Sequence, residues 1–394
     1  MTITDTTVGI VGGGPAGLML SHLLDRAGIA NVVIDNRTRE QIESTVRAGI
    51  LEVDSVNMLV DTGVSDRVFR DGHAHDGIDL RFGGESHRID FKGLVGESAW
   101  LYPQTDVFID LADARERDGA DVRFGITSTE VFEVTGDRPL IVYTDAEGQH
   151  QIRCDYLVGA DGSRSVCRQQ MPESQRRHFF KEYPFAWFGF LVEAPPSAPE
   201  LVYAHSEHGF ALISQRTDVL QRMYFQCDPQ EDVAQWSDDR IWETMQARVA
   251  GPDGFTLKQG PISDQAVLRF RSFVCEPMRY GSMLLVGDAA HTVPPTGAKG
   301  LNLAMADVKI LAEVLERSVK TGDKDVLNEY GPRALDRVWR AQQFSYWMTT
   351  MLHTLPNADD FDNRRQVAEL QSVVSSVPGS TYLAEAYTGW PGRG

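Results

Sequence analysis

Residues 8–35 contain the pattern that limits most strongly how this chain folds. Residues 8–11 form a short apolar run, which predicts a buried strand of a parallel sheet. Glycines follow at positions 12, 14 and 17, and the next apolar residues repeat at helical spacing. Residues 31–34 predict a second strand, and Asp35 comes directly after it. The order of strand, turn, helix, strand and acid predicts a Rossmann-like fold that binds a dinucleotide.

Each glycine of the turn has its own task. Gly12 allows the tight turn, Gly14 lets a pyrophosphate approach the backbone, and Gly17 lets the helix pack closely on the strand. The helix N-terminus offers unpaired N–H groups and the positive end of a dipole to the phosphates. Asp35 stands where an acidic residue binds the ribose hydroxyls. The pattern does not distinguish FAD from NAD, so both dinucleotides stay open at this point.

Two later stretches have a similar form, in which an apolar run ends at a tight turn. Residues 155–158 lead to the turn that contains Asp161, and residues 283–286 lead to the turn at Asp288. Either one alone predicts only a strand that ends in a turn. A loop rich in glycine and proline, residues 294–302, then begins a helix whose apolar residues step by three or four. It presents a second helix N-terminus and therefore a second candidate anion site.

The remaining segments complete the prediction of an α/β fold. Residues 1–178 are predicted to form a Rossmann-like domain with a parallel sheet, and parts of 74–100 contribute to the substrate side. Short β-like segments within 179–272 predict an inserted, mainly antiparallel β domain for the substrate. Residues 273–394 are predicted to supply the remainder of the nucleotide site and a helical C-terminal region. An aromatic and methionine-rich stretch at 339–352 predicts protein core or a subunit interface.

Composition excludes several classes of protein. The chain carries 38 Lys and Arg against 56 Asp and Glu, a net charge of −18, so no attraction to nucleic acid or to an anionic membrane is expected. We find neither a transmembrane-length apolar run nor a signal-peptide pattern. The four scattered cysteines predict reduced thiols and a cytoplasmic location. His73 and His75 lack a nearby third ligand, so no metal site is expected.

The three motifs together, in this order, resemble the single-component FAD-dependent aromatic hydroxylases. The most specific stretch is VGDAAHTVPPTGAKGLN at residues 286–302, followed by residues 47–52 and 209–216. The resemblance runs from residue 8 to about residue 387. It implies FAD as the cofactor and NADH or NADPH as the reductant. It also implies dioxygen and a small aromatic carboxylate as substrates, and a homodimer as the assembly.

The implied reaction converts 4-hydroxybenzoate to 3,4-dihydroxybenzoate with NAD(P)H and dioxygen, through a hydroperoxide of the flavin. Two alternatives stay open, whereas a third, a non-catalytic flavin-dependent sensor or binding module, would predict damage to Tyr203 or Pro295, and neither is damaged. The same chemistry on a related ring, such as 4-aminobenzoate or 3,4-dihydroxybenzoate, depends on pocket shape, which the sequence reveals poorly. A dehydrogenase that binds NAD at the N-terminal motif is a different class, but it leaves the Asp288 turn and the 294–302 loop unexplained.

For the cofactor, the resemblance implies binding by Gly12, Gly14, Gly17, Asp35, Arg47, Gln104, Asp161, Asp288, Lys299, Leu301 and Asn302. Arg47 would reach the pyrophosphate, while Gln104 and Asp288 would lie beside the ribityl chain. Asn302 and the backbone near Leu301 would face the pyrimidine edge of the flavin. Reduced flavin is negatively charged at that edge, which suits a helix N-terminus and a lysine.

For the substrate carboxylate, the resemblance implies the trio Ser214, Arg216 and Tyr224. Arginine makes a two-pronged charged contact, and two hydroxyls fill the remaining lone pairs. At the other end, Tyr203 and the carbonyl of Pro295 would bind the phenol. Tyr387 would contact Tyr203 and continue a proton path toward His75. A histidine ordinarily titrates near neutrality, which suits a relay to solvent.

The segment after the second predicted strand departs from well-known NADPH-using members, which carry Arg, Tyr and Arg at the positions of Asn36, Gln41 and Thr45. Fewer partners are then left for a 2′-phosphate, and Glu40 and Glu43 would repel it. Arg37 and Arg39 are candidates to compensate. We therefore predict use of NADH, or of both nucleotides.

Overall fold

The computed structural model describes residues 2–45 and 49–390, and it has a mixed α/β architecture. Its strands are β1 (Ile3–Val11), β2 (Asn31–Ile34), β3 (Ile50–Leu51), β4 (His73–His75), β5 (Gly77–Phe82), β6 (Glu85–Asp90), β7 (Ala99–Leu101), β8 (Val122–Arg123), β9 (Ser128–Phe132), β10 (Leu140–Asp145), β11 (Gly148–Gly159), β12 (Arg177–Val192), β13 (Leu201–Ser206), β14 (Gly209–Thr217), β15 (Leu220–Cys227), β16 (Ile262–Glu276), β17 (Arg279–Tyr280), β18 (Met283–Leu285) and β19 (His291–Thr292).

The α-helices are α1 (Pro15–Arg26), α2 (Arg39–Glu43), α3 (Val53–Asp61), α4 (Val68–Asp71), α5 (Phe91–Val95), α6 (Gln104–Arg117), α7 (Val166–Gln169), α8 (Asp238–Val249), α9 (Gly300–Thr321), α10 (Tyr330–Leu352), α11 (Asp360–Val374) and α12 (Val377–Thr388). Short 3-10 turns lie at Glu173–Gln175, Val233–Gln235, Gly287–Ala289, Pro295–Gly297 and Lys324–Glu329. Among the described helices, none has the length and apolar character needed to cross a membrane.

The nucleotide side is built on a sheet with the order β17–β18–β11–β1–β2–β8, to which β10 and β9 add at β11. Strands β18, β11, β1 and β2 are parallel neighbours, and fully buried residues such as Val8 and Ile10 explain their apolar sequences. In the register, Val11 lies opposite Gly159, and Gly159 lies opposite Leu285. Three strands therefore end at one edge of the sheet. The predicted α/β fold with a Rossmann-like parallel sheet is confirmed.

The second large sheet has the order β19–β16–β12–β15–β14–β13–β5–β6. Its pairs are antiparallel except for β13 with β5, which run parallel. The predicted mainly antiparallel sheet is therefore present, and it also takes in β5 and β6. A small three-stranded sheet, β3–β7–β4, completes the strands that the structure describes. The predicted domain boundaries at 178 and 272 stay a prediction.

Helices cover these sheets and place their apolar faces inside. Helix α9 packs on α1, and its residues Val308, Leu311 and Leu315 are fully buried in the core of the nucleotide side. The helical C-terminal region is confirmed. Along α10, the predicted aromatic and methionine-rich stretch divides into two classes. Phe344, Met348, Met351 and Leu352 are fully buried, whereas Trp339 is 41% exposed.

Candidate active site

The three glycine-containing motifs meet at the shared edge of the parallel sheet, although they are far apart in the chain. Gly12 has a φ of +111°, and a Cβ at this position would lie 2.2 Å from the backbone oxygen of Ala160. The Ala160 amide donates to Val11 O at 2.8 Å, and the Val286 amide donates to Gly159 O at 3.0 Å. The turns that follow β1, β11 and β18 are thus parts of one site, at the carboxyl ends of parallel strands where dinucleotides bind.

Two helix N-termini flank this site. A Cβ added to Gly287 would lie 3.1 Å from the Cβ of Ala304 in α9 and 3.8 Å from that of Ala16 in α1. Neither helix has a side-chain cap among the described residues, so their first N–H groups are available to an anion. A Cβ on Gly14 would meet nothing within 4 Å, which leaves open space beside the backbone at the start of α1.

The Gly287 turn is held by a buried ion pair that the sequence reasoning missed. Oδ2 of Asp307 accepts the Gly287 amide at 3.0 Å and lies 2.6 Å from Nε2 of His291. Burial alone would lower the pKa of His291, but Asp307 outweighs it and raises that pKa. The signal in the sequence is an acid on the buried face of an otherwise apolar helix stripe.

Two acids line the glycine-rich side of the site. Asp35 is 5% exposed, and its carboxylate accepts the Gly13 amide at 2.8 Å and the Arg37 amide at 2.8 Å. The Arg37 guanidinium donates to the same two oxygens at 3.2 Å each, so the roughly four acceptor positions of this carboxylate are filled and a ribose hydroxyl would replace these longer contacts. Oδ2 of Asp161 accepts the Cys167 amide at 3.1 Å, but its Oδ1 is buried without a partner in the described structure. Such an orphaned acceptor indicates a bound donor.

These features fit FAD: an open glycine turn, two uncapped helix N-termini and, at Asp161, a buried acceptor without a partner among the described residues. Gln104 is the first residue of α6 and is partly buried, and Asp288 is exposed in the turn after β18. Arg47, which the resemblance assigns to the pyrophosphate, lies outside the described residues. The contacts of these individual residues with the cofactor stay predictions.

Lys299 and Asn302 make internal contacts at the start of α9. The Lys299 ammonium donates to Oε1 of Glu52 at 2.6 Å and to the Tyr387 carbonyl at 2.8 Å. Asn302 accepts the Glu52 amide at 2.9 Å and donates to Ile50 O at 2.7 Å. Burial lowers the pKa of Lys299, and the Glu52 carboxylate opposes that effect. In this arrangement the side chains join α9 to β3 and α12, and Leu301 is partly exposed.

Three of the predicted substrate residues, Tyr203, Ser214 and Tyr224, share one face of the second sheet, whereas Arg216 lies at an irregularity in the pairing of β14 with β15. Tyr203 pairs with Leu212, Leu212 with Tyr224, and Tyr224 with Gly189, so their side chains stand in one row across four strands. A Cβ on Gly189 would lie 2.7 Å from the Tyr224 ring, so the glycine makes room for that ring. Ser214 is two residues beyond Leu212 and lies on the same face.

Arg222 is a further cation on this face that the sequence reasoning missed. It pairs across strands with Ser214, and its guanidinium lies 5.3 Å from the centre of the Tyr224 ring. It also forms an ion pair with Asp264 at 2.8 Å. Burial lowers the pKa of Arg216, and the nearby positive charge of Arg222 adds to the effect. Two arginines and two hydroxyls therefore meet here, which suits a carboxylate. The alternation of Arg222 with Tyr224 along β15 was the available signal.

At the other end of the row, two buried tyrosines are hydrogen-bonded. The hydroxyls of Tyr203 and Tyr387 lie 2.7 Å apart, and both side chains are at most 2% exposed. Burial raises the pKa of each phenol, so both stay protonated at neutral pH. Pro295 lies in the 3-10 turn before α9, and its carbonyl accepts the Ala298 amide at 2.9 Å. A carbonyl has a second lone pair for a ligand.

His75 differs from its expected behaviour. The sequence reasoning expected a histidine that titrates near neutrality, but burial lowers its pKa to about 4. The side chain is 2% exposed, and neither ring nitrogen has a hydrogen-bond partner among the described residues. His75 therefore stays neutral at working pH in this structure. Its role in a proton path stays a prediction.

Comparison with known proteins places this geometry in a family. A family model described as an FAD binding domain matches residues 5–345. The p-hydroxybenzoate hydroxylase of Acinetobacter baylyi is 40% identical over 392 residues, which are 99% of this chain and 97% of that protein.

Solved structures show the same fold at low identity. The crystal structure of p-nitrophenol 4-monooxygenase from Pseudomonas putida has a TM-score of 0.82 at 20% identity, with 99% of both chains covered. A Diels-Alderase of pyrroindomycin biosynthesis has a TM-score of 0.76 at 22% identity, with 98% of this chain and 81% of that one covered. The family model and the Acinetobacter relative show that this chain belongs to the family of FAD-dependent aromatic hydroxylases.

Proposed function

We propose that this protein hydroxylates 4-hydroxybenzoate to 3,4-dihydroxybenzoate, with FAD as cofactor and with NAD(P)H and dioxygen. The observation that carries the proposal is the sheet face that holds the Tyr203–Tyr387 pair at one end and Ser214, Arg216 and Tyr224 at the other. The substrate has a phenol and a carboxylate at opposite ends of its ring, and it matches both. The name of the Acinetobacter relative supports the same substrate.

The protein side chains have three tasks in this reaction. Arg216, with Ser214 and Tyr224, holds the carboxylate and orients the ring. Tyr203 accepts the phenol proton as it passes its own proton to Tyr387, and Tyr387 releases its own proton along the predicted path toward His75 and solvent, which favours a phenolate and a nucleophilic ring carbon beside it. Held at the glycine turn and the two helix N-termini, FAD would supply hydride acceptance from the nicotinamide and activation of dioxygen. The apolar, buried surroundings exclude water from the reaction.

The deciding experiment is oxidation of NADH or NADPH by the FAD-loaded protein with and without 4-hydroxybenzoate, with the products identified. We expect the substrate to accelerate oxidation and 3,4-dihydroxybenzoate to form. Oxidation that yields only hydrogen peroxide would make 4-hydroxybenzoate an effector and refute the proposal. The same assay with 4-aminobenzoate and 3,4-dihydroxybenzoate tests the related rings. The FAD-binding family excludes the NAD-dependent dehydrogenase that was considered as an alternative.

We propose NADH as the preferred reductant. Both arginines that were candidates to bind a 2′-phosphate are already paired. Arg37 contacts both carboxylate oxygens of Asp35, and Arg39 contacts the carboxylates of Glu43, Asp113 and Glu116. Gln41 closes a capping box with Thr38 at the start of α2. Because both arginines already have carboxylate partners, we expect residues 36–45 to have little affinity for the 2′-phosphate of NADPH.

The test compares kcat/KM with NADH and with NADPH. We expect a higher value with NADH, and strict dependence on NADPH would refute the proposal. The double variant Glu43→Gln/Asp113→Asn removes two partners of Arg39, so it should raise kcat/KM with NADPH more than with NADH. Glu313→Gln, which changes an exposed acid paired with Arg333 elsewhere, serves as the control.

We propose a homodimer in the cytoplasm. Phe180, Trp339, Tyr346 and Tyr382 are 58%, 41%, 45% and 42% exposed, and two adjoining cavities that share Trp339 connect them. Exposed aromatic surface of this kind is typical of interfaces. The four cysteines are free thiols, which supports a reducing compartment.

Light scattering in solution tests the assembly. Phe180→Asp should convert a dimer to a monomer, because the charge would be buried at the contact. Phe361→Asp, at an apolar residue that is 73% exposed on α11, should leave the mass unchanged. A wild-type mass of one chain would refute the dimer.

A further inference from the structure

Helix α10 presents a buried polar stripe to the substrate side. Ser345, Thr349 and His353 are spaced four residues apart, and all three are 0% exposed. The Thr349 hydroxyl donates to the Ser345 carbonyl at 2.6 Å and lies 2.9 Å from the hydroxyl of Thr296, which is in the turn after Pro295. A Cβ on Gly297 would lie 3.0 Å from the Ser345 hydroxyl oxygen. The stripe therefore supports the loop that the proposed function places at the substrate phenol.

His353, just after the last residue of α10, has both ring nitrogens occupied. Nδ1 lies 2.8 Å from the Thr349 carbonyl. A carbonyl oxygen only accepts hydrogen bonds, so Nδ1 carries the proton and donates it. Nε2 then carries a lone pair and accepts the indole N–H of Trp187 at 2.7 Å. Burial lowers the pKa of His353 to about 3, so the ring stays neutral across the working pH range, and these two contacts select this tautomer. The histidine fixes the position of the Trp187 ring.

Aromatic contacts connect this histidine to both predicted substrate tyrosines. The Trp187 ring lies 4.8 Å from the ring of Tyr224, between ring centres. The His353 ring stacks on Phe210 at 4.3 Å, and Phe210 lies 6.2 Å from Tyr203. In a closely packed interior the side chains have few alternative positions, so the displacement of one ring also displaces its neighbours. The indole contact is the shorter route, and it ends at the carboxylate side of the pocket.

We propose that His353 is a positioning residue for substrate binding: by accepting the Trp187 indole N–H, it holds Trp187 against Tyr224 and so sets the Tyr224 hydroxyl for the substrate carboxylate. The inference rests on the proposed function, because it takes Tyr224 as a carboxylate ligand. It adds a residue that touches neither substrate nor cofactor and acts through Trp187.

The test measures Kd of the FAD-loaded protein for 4-hydroxybenzoate and for 4-hydroxybenzamide, which lacks the carboxylate charge. His353→Phe keeps a flat ring but leaves the indole N–H without an acceptor. We expect it to raise Kd for the benzoate about tenfold, with little change for the benzamide. His353→Gln restores one acceptor and one donor and should recover most of the benzoate affinity. Trp187→Phe removes the donor instead and should show the pattern of His353→Phe, which covers the case that His353→Phe does not fold.

The control is His205→Gln, at a second buried histidine whose Nδ1 lies 3.1 Å from the Leu352 carbonyl. Both Kd values should stay within twofold of wild type. If His353→Phe or Trp187→Phe weakens both ligands equally, the effect is structural and the positioning role is refuted. A wild-type protein that does not discriminate benzoate from benzamide would instead refute the carboxylate site of the proposed function. The two failures are therefore distinguishable.

Discussion

At the scale of single residues, burial decides which proton carriers are charged. Tyr203 and Tyr387 have raised pKa values and share one hydrogen bond. Both hydroxyls are therefore neutral at rest, and each must accept one proton as it gives up another. His75 has a lowered pKa and stays neutral as well. The proposed proton path therefore contains no group that is charged at rest in the part of the chain described. A negative charge on the substrate phenol would therefore be stabilised by hydrogen bonds, of which the Tyr203 hydroxyl would donate one.

Tyr203→Phe removes the hydroxyl that faces the phenol in the proposed reaction. We expect NADH oxidation to continue and 3,4-dihydroxybenzoate formation to fall about 100-fold, because proton transfer by a positioned side chain is lost. The measurement is product and hydrogen peroxide formed per NADH consumed. Tyr224→Phe is the matched control, since it should raise Kd for 4-hydroxybenzoate and leave this ratio closer to wild type. An unchanged ratio in Tyr203→Phe would contradict its role.

His75 predicts a dependence of stability on pH. Its folded pKa of about 4 lies below the ordinary value of 6.5, so between these values the unfolded chain holds more protons. Stability should therefore fall as pH drops through this window, by about 3 kcal/mol in total for this group. His75→Asn should flatten the decrease in the free energy of unfolding, followed by urea denaturation at several pH values. His208→Asn, at an exposed histidine, should not. Parallel curves for His75→Asn and wild type would disprove the shift.

The role of a residue could be predicted from the sequence where a motif requires a particular backbone conformation. Gly12 was expected to make a tight turn, and its φ of +111° shows that turn. The titration of His75 was not readable, because a pKa depends on burial by segments distant in the chain. Arg222 was missed for a related reason. Its place opposite Ser214 depends on strand register, which a single sequence does not show.

At the scale of elements, α9 is tied at its N-terminus to two separate parts of the chain. Glu52, which follows β3, pairs with Lys299 at 2.6 Å and with Arg337 of α10 at 2.9 Å. Lys299 also binds the carbonyl of Tyr387 in α12. The helix, its anion-binding end and the Tyr387 hydroxyl are thus set by one buried cluster. The helix itself was predictable from its apolar periodicity, whereas Glu52 carried no local signal.

Lys299→Met tests how much this cluster stabilises the fold. The variant leaves the buried Glu52 carboxylate with one cation fewer, and we expect the free energy of unfolding to fall by about 3 kcal/mol. Urea denaturation of FAD-saturated protein measures it. Lys309→Met on the same helix changes an exposed lysine and should stay within about 0.5 kcal/mol of wild type. Equal stability of the two variants would show that the cluster contributes little to folding.

At the scale of the whole molecule, the negative net charge of the protein opposes the binding of its negatively charged ligands. The chain carries −18, yet FAD, the nicotinamide nucleotide and the proposed benzoate are all anions. Local positive groups can bind these anions: two helix N-termini at the cofactor side, and Arg216 with Arg222 at the substrate side. These act over a few ångströms, whereas the net charge acts over the screening length of the solution. The approach of a ligand and its final binding are therefore governed by different charges.

Repulsion between the negative protein and 4-hydroxybenzoate predicts that the association rate rises with salt concentration. At about 0.01 M salt the screening length is roughly 30 Å, and at 0.15 M it is about 8 Å. Added salt should therefore weaken the long-range repulsion and raise the association rate of 4-hydroxybenzoate about twofold. Stopped-flow measurements on the FAD-loaded protein follow this rate. Neutral 4-hydroxybenzamide should associate at a rate independent of salt. A benzoate rate that falls with salt would mean that the pocket arginines already dominate the field outside the protein.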